Sequence, residues 1–205
     1  MEPEIDPQRQ KELDQRRATV PDIKKGIYPF KGMQLTRADV EWLLATHENG
    51  HGPIDWSDGS QREREGLDLR AADLRGVDLR HLPLARFQGG FIVWGRWADA
   101  TVEQHEAGAI HLEGANLRSA HIEGAILERA HLEGANLSGS HAEDAILYLA
   151  HLEGAVFQRT NFKNADLGRS HLEGADFRWA VLDEAALSEV HLEGALLSHA
   201  FFDSK

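Results

Sequence analysis

The stretch HLEGA occupies residues 111–115 and recurs at 131–135, 151–155, 171–175 and 191–195. The same five residues return every twenty, and the residues between them vary. From Ile110 onward the chain divides into fives without a gap: IHLEG, ANLRS, AHIEG, AILER, AHLEG, and so on to AFFDS. The first position is Ala, Ser, Thr or Val apart from Ile110. The third is Leu or Phe, with Ile122 and Ala142 as exceptions. The other three positions are mostly polar. An earlier block, LDLRA, ADLRG, VDLRH and LPLAR (67–86), has the same pattern.

A period of five fits no long helix, which needs apolar residues at 3.6 spacing, and no half-buried strand, which needs period two. A unit with inward first and third side chains is a short extended stretch plus a turn. One unit cannot bury its own apolar residues, so units must stack, as in other solenoids.

The units ADLRG, ANLRS and ADLGR follow the motif A-(D/N)-L-X-X, and over 67–86 and 110–204 the chain resembles the pentapeptide-repeat family. The resemblance implies an all-β solenoid, a right-handed quadrilateral β-helix with four units per coil. Four units of five make one twenty-residue coil, which is the HLEGA period. Leu112, Leu132, Leu152, Leu172 and Leu192 then form an inward ladder on one face, with coils about 4.8 Å apart. Leu117, Leu137, Phe157, Phe177 and Leu197 line the second face. Ile122, Ala142, Phe162, Leu182 and Phe202 line the third. Leu127, Leu147, Leu167 and Leu187 line the fourth. Phe162 sits one coil below the small Ala142, an expected volume compensation.

Residues 87–109 break the pattern and are read as a loop extruded from one corner. If the coil restarts where it stopped, Leu69 and Leu112 share a face. Gly89, Gly90 and Gly95 suit irregular backbone. TVEQHEAG suits a short helix. The loop either carries function through Trp94 and Trp97 or folds back and packs Phe91, Trp94 and Trp97 on the coil. Residues 1–65 read as a partly helical cap on the solenoid of 66–204. Helices are expected near 7–18 and from Thr36 to Thr46, where Thr36 caps and Asp39 follows three residues on. Trp42, Ile54 and Trp56 are expected to pack on the first coil.

Two constellations could carry chemistry. His47-Glu48-Asn49-Gly50-His51 matches HExxH, which in a zinc hydrolase needs both histidines on one helical face. Gly50 and Gly52-Pro53 should end that helix where its geometry is required, so hydrolase is the least favoured reading. The second constellation is the column His111, His131, His151, His171 and His191, beside Glu113, Glu133, Glu153, Glu173 and Glu193. His121 and His141 repeat it two faces away. Such columns can bind a divalent metal adventitiously. The preferred reading is a solvated ladder produced by duplication of one coil, with no cofactor and no metal.

The chain of 205 residues has no cysteine and a formal net charge of −12. Disulfides and thiolate metal sites are excluded. The acidity disfavours direct nucleic-acid binding. No apolar run approaches the roughly 18 residues of a membrane span, and the charged first residues show no secretory signal, so a cytoplasmic protein is expected. No nucleotide loop or nucleophile elbow is present. The expectation is a non-enzymatic scaffold that presents an acidic rod to a protein partner. Its candidate surface is Trp94, Trp97 and the two columns. Some pentapeptide-repeat proteins mimic DNA and bind gyrase, a type II topoisomerase, which supplies the alternative. Members of the family also dimerise through the C-terminal coil, which would place Phe201 and Phe202 in a homodimer contact.

Overall fold

The computed structural model describes residues 5–92 and 99–202. Its body is a right-handed quadrilateral β-helix. Each rung is a pair of parallel backbone hydrogen bonds between residues one coil apart, for example Leu112 N–H to His131 O at 2.7 Å and His131 N–H to Ile110 O at 3.0 Å. The bridges run His111 to His131 to His151 to His171 to His191 on one face, and Asn116 to Asn136 to Val156 to Asp176 to Leu196 on the next.

Between rungs the chain turns a corner within one unit. Ala115 N–H donates to Leu112 O at 2.9 Å, and Gly114 has φ 66°. Positive φ at the third residue of such a turn is the signature of type II. Glycine suits that corner, yet most corners lack it. Leu149 (φ 58°) and Trp179 (φ 66°) accept the left-handed conformation, at a cost of about 1–2 kcal/mol each. The ladder offsets this with the rungs at those corners, Leu149 N–H to Gly168 O at 3.0 Å and Trp179 N–H to Ser198 O at 3.3 Å.

In units with Asp or Asn at the second position, that side chain accepts from the backbone N–H two residues on. Asp166 Oδ1 takes Gly168 N–H at 2.9 Å, and Asn136 Oδ1 takes Ser138 N–H at 3.0 Å. These are Asx turns, and they explain the residue type chemically. The first and third positions fill the interior. Leu112, Leu132, Leu152 and Leu172 and the alanines between them are buried in one continuous core. Phe162 and Ala142 are both fully buried. The Phe162 ring packs edge-on against Phe157 (5.2 Å) and lies 6.0 Å from Phe177.

The register across the interruption differs from the expectation. Asp73 pairs with His111, Asp78 with Asn116, Pro83 with His121 and Gln88 with Ile126. Leu74, not Leu69, therefore stands over Leu112. Leu69 belongs to the fourth face, above Gly89 and Leu127, because Asp68 pairs with Gln88. The pattern also continues past residue 87: Phe87 is buried and Gly89 takes the inward third position. Gly89 and Gly90 serve close approach rather than irregular backbone. A Cβ on Gly89 would lie 2.6 Å from Ile110 Cγ2, and one on Gly90 would lie 2.2 Å from Glu128 O. Ile110, the outlier at first position, fills the volume that Gly89 leaves.

After Phe91 the chain departs and returns through a short helix. Phe91 is buried against Tyr28 (5.6 Å between rings), with the Arg70 guanidinium 4.5 Å from its ring centre. Gly95, Trp94 and Trp97 lie outside the described residues.

The N-terminal region is built onto the same ladder. Helix α1 is Pro7–Arg17 and α2 is Arg37–Ala45, whose Thr36 and Asp39 form a capping box. Short helical pieces follow at α3, His47–Gly50, and α4, Val102–Glu106. Gln34 pairs with Asp73, so Met33 and Leu35 extend the first face by one level before α2 begins. Leu13, Leu35, Val40, Trp42, Leu43 and Leu44 then join the core above Leu69 and Leu74. Trp56 reaches further than the first coil: a Cβ on Gly124 would lie 2.8 Å from its ring.

Arg9 fastens α1 to α2. Its Nε and Nη2 donate to the two oxygens of the buried Asp39 at 3.0 and 2.9 Å. Burial pushes the Asp39 carboxyl up, but hydrogen bonds from Arg9 and Thr36 outweigh it and hold the group below the usual carboxylate range. A depressed folded value stabilises the cap above the unfolded value near 4, and the contribution fades as pH falls through the folded value. Arg9→Ala should weaken the cap by about 1.5–3 kcal/mol. Hydrogen-exchange protection factors of α2 amides check both: lower protection is expected in the variant at pH 7, and in the wild type only as the pH falls through the depressed Asp39 value, below the usual carboxylate range.

Candidate functional site

Two walls of the rod carry the histidines. Where the second residue of a unit is His, no Asx turn forms. The imidazole instead sets Nδ1 against the glutamate two residues on. His111 Nδ1 lies 2.9 Å from Glu113 Oε1, and His121 Nδ1 lies 2.9 Å from Glu123 Oε1. The corresponding separations are 3.3 Å at His131–Glu133, 3.5 Å at His141–Glu143, 3.8 Å at His151–Glu153 and 3.5 Å at His171–Glu173. With the proton on Nδ1, His111, His121 and His131 donate to their glutamates and keep Nε2 as an acceptor; at His141, His151 and His171 the two groups face each other without a hydrogen bond.

The ladder spacing also stacks the rings. Along His111, His131, His151, His171 and His191 the centroids are 4.7, 4.9, 5.2 and 4.9 Å apart, and neighbouring rings are within 9° of parallel. His121 and His141 stack at 4.7 Å. The glutamates lie along the wall. One oxygen meets the imidazole, and the other is shielded and unpaired at Glu113, Glu123, Glu133, Glu143, Glu153 and Glu173. A shielded carboxylate oxygen without a donor is costly. Glu193 and His191, on the last described coil, are exposed.

The sequence placed these side chains on two walls, and the structure brings each His beside its Glu there. Phe201 and Phe202 are exposed on the last described coil, with Leu196 and Leu197 nearby. Trp94 and Trp97 fall outside the described residues. Sequence reasoning missed Trp179, which is 55% exposed at a corner and stacks on His199 at 4.0 Å. A single aromatic among polar fifth positions was the available signal. It also missed a groove between the 53–57 segment and the His121 wall, which depends on how the N-terminal region folds back.

The HENGH segment does not form the helix its motif requires. Glu48 (φ 47°, ψ 53°) and Asn49 (φ 59°, ψ 35°) are left-handed, so His47 and His51 share no helical face. His47 Nε2 is 2.7 Å from Glu65 O, and His51 Nδ1 is 2.6 Å from Glu48 O. Arg64 Nε pairs with the Glu48 carboxylate at 2.6 Å, which occupies the would-be base. Among the described residues, no helix is long and apolar enough to cross a membrane.

The family model for pentapeptide repeats matches residues 110–147, 135–174 and 160–199. Among solved structures the chain is similar to Rfr23, a pentapeptide repeat protein from the cyanobacterium Cyanothece 51142. The identity is 28%, over 64% of this chain and 91% of that one, with a TM-score of 0.56. It is also similar to a pentapeptide repeat protein from Nostoc Pcc 7120, at 32% identity over 42% of this chain and 76% of that one, with a TM-score of 0.37. A search of curated protein sequences finds no match.

Proposed function

The chain belongs to the pentapeptide-repeat family, and from that premise we propose that it is a non-enzymatic scaffold whose acidic rod docks a protein partner along its walls. One observation carries this reading. From His111 to His191 the outward side chains stand in strict register, stacked ring on ring and flanked by carboxylates. Such a wall offers a long, rigid lattice of charge rather than an enclosed pocket. Over 110–205 there are 15 acidic and 7 basic residues, a net −8. A partner with a basic groove is the complement. The compartment that fits this role is the cytoplasm. A narrower reading, mimicry of DNA at a type II topoisomerase, rests on the same charge and rod shape.

The last described coil also exposes apolar side chains. Phe201 is 67% exposed and Phe202 47% exposed on the last described coil, and we assign that surface to a second copy of the chain.

Two experiments test these readings. Affinity capture from the source cell compares the wild type with a rod in which Glu113, Glu133, Glu153 and Glu173 are all changed to Gln. A partner that is retained by the wild type, released by salt and lost with the neutralised rod is expected. A partner indifferent to neutralisation contradicts the reading. Gyrase subunits among the salt-released proteins support the narrower reading, and their absence removes it. Light scattering at micromolar concentration should give a dimer mass, reduced to a monomer by Phe201→Glu with Phe202→Glu. A wild-type monomer removes the second copy.

A further inference from the structure

Among the repeated His–Glu pairs one differs in its surroundings. Glu123 is only 4% exposed, whereas Glu113, Glu133, Glu153 and Glu173 keep roughly a third of their side-chain surface. The burial comes from the N-terminal region. The segment 53–57 crosses the third face, sets the Trp56 ring against the Gly124 corner and closes a groove over His121, Glu123 and His141. Ile54, Asp55, Trp56 and Arg62 form the groove's other wall, and Pro83, one coil above His121, lines it from the solenoid side. Glu123 Oε1 faces His121 Nδ1, and Glu123 Oε2 is shielded from solvent with no hydrogen-bond partner.

The shielded Oε2 is common to these glutamates, but only at Glu123 is the rest of the side chain buried as well, 6% exposed against 29–39% on the open wall, so this carboxylate costs the most to hold as an anion. What would relieve it is a cation of small radius. Two imidazoles stand beside it: ligand atoms of His121, Glu123 and His141 lie within 4.8 Å of one another. The set is two nitrogens and one carboxylate oxygen, the ligand type of zinc and its first-row neighbours, and a fourth position is open to the groove.

We propose that His121, Glu123 and His141 form a binding site for a late first-row divalent cation such as Zn²⁺, roofed by the N-terminal segment. Glu123 is the fixed ligand, because its backbone and carboxylate are held in the wall. The two imidazoles are the adjustable ones: their side chains are 49% and 48% exposed, so rotation can draw their nitrogens into a coordination sphere tighter than the present spacing. On binding, the hydrogen between His121 Nδ1 and Glu123 moves to Nε2 at the solvent side, and Nδ1 becomes a ligand. The charges at the groove favour a cation. Asp55 and Glu123 supply two negatives against Arg62, whose guanidinium is held over the Trp56 ring at 5.0 Å and donates to Trp56 O. The other His–Glu clusters, His111–Glu113–His131 and His171–Glu173–His191, have the same donors. They lack the roof and the deeply buried carboxylate, so they are expected to be weaker.

Isothermal titration of the full chain with ZnCl₂ tests the site. The expected result is one class of tight sites, micromolar or better, above weaker ones. Loss of a residue that only hydrogen-bonds to a ligand weakens metal sites by about 10–100-fold. Glu123→Gln and His141→Ala, each removing a direct ligand, should therefore weaken the tight class by at least ~10-fold. His171→Ala with His191→Ala should leave it unchanged. His141 is half exposed, so its variant folds, and Glu123→Gln keeps the side-chain volume; far-ultraviolet circular dichroism verifies both. Zinc binding only at millimolar concentration overturns the proposal. So does a tight class that survives Glu123→Gln, or one lost equally in the His171 and His191 variant.

Discussion

The rung between residues one coil apart is the interaction on which everything else depends. Leu112 N–H to His131 O and His131 N–H to Ile110 O fix each level directly under the last. Once that is set, a third-position side chain can only meet its counterparts above and below. Leucine and phenylalanine stack into a core that no single unit could bury. The same rung stacks the second positions outside. The parallel imidazoles at 4.7–5.2 Å are thus a by-product of backbone spacing, not of attraction between rings.

Most of the solenoid was legible because its pattern is local. The period of twenty gave the coil, and the alternation of first and third positions gave the interior. The Thr36 and Asp39 spacing gave the α2 cap, which the structure reproduces as a reciprocal capping box. What was not legible depends on contacts between distant residues. The register across the interruption turns on Gly89 yielding its volume to Ile110, and no five-residue motif announces such an exchange. Left-handed corners at Leu149 and Trp179 defy local preference, and the surrounding ladder imposes them. The Met33–Leu35 segment extends the first face although it matches no repeat unit.

The candidate surface was legible in the same unequal way. Periodicity alone aligned His111 through His191 with their glutamates. It could not tell one His–Glu pair from another, since each is a His-x-Glu at the same positions of its unit. The difference at Glu123 comes from the 53–57 segment, some seventy residues earlier in the chain. A non-repeating segment laid over the rod is what makes one His–Glu pair unlike the rest, and the groove beside Trp56 is such a place.

The division between an inward position that carries stability and an outward one that is free for recognition is measurable at adjacent residues. Leu152 is fully buried, and His151 is partly exposed on the wall. Equilibrium denaturation of Leu152→Ala and His151→Ala compares them within one unit. The account predicts a loss of about 2–5 kcal/mol for the leucine and a change within about 0.5 kcal/mol for the histidine. Equal losses, or a larger loss for His151→Ala, would contradict it.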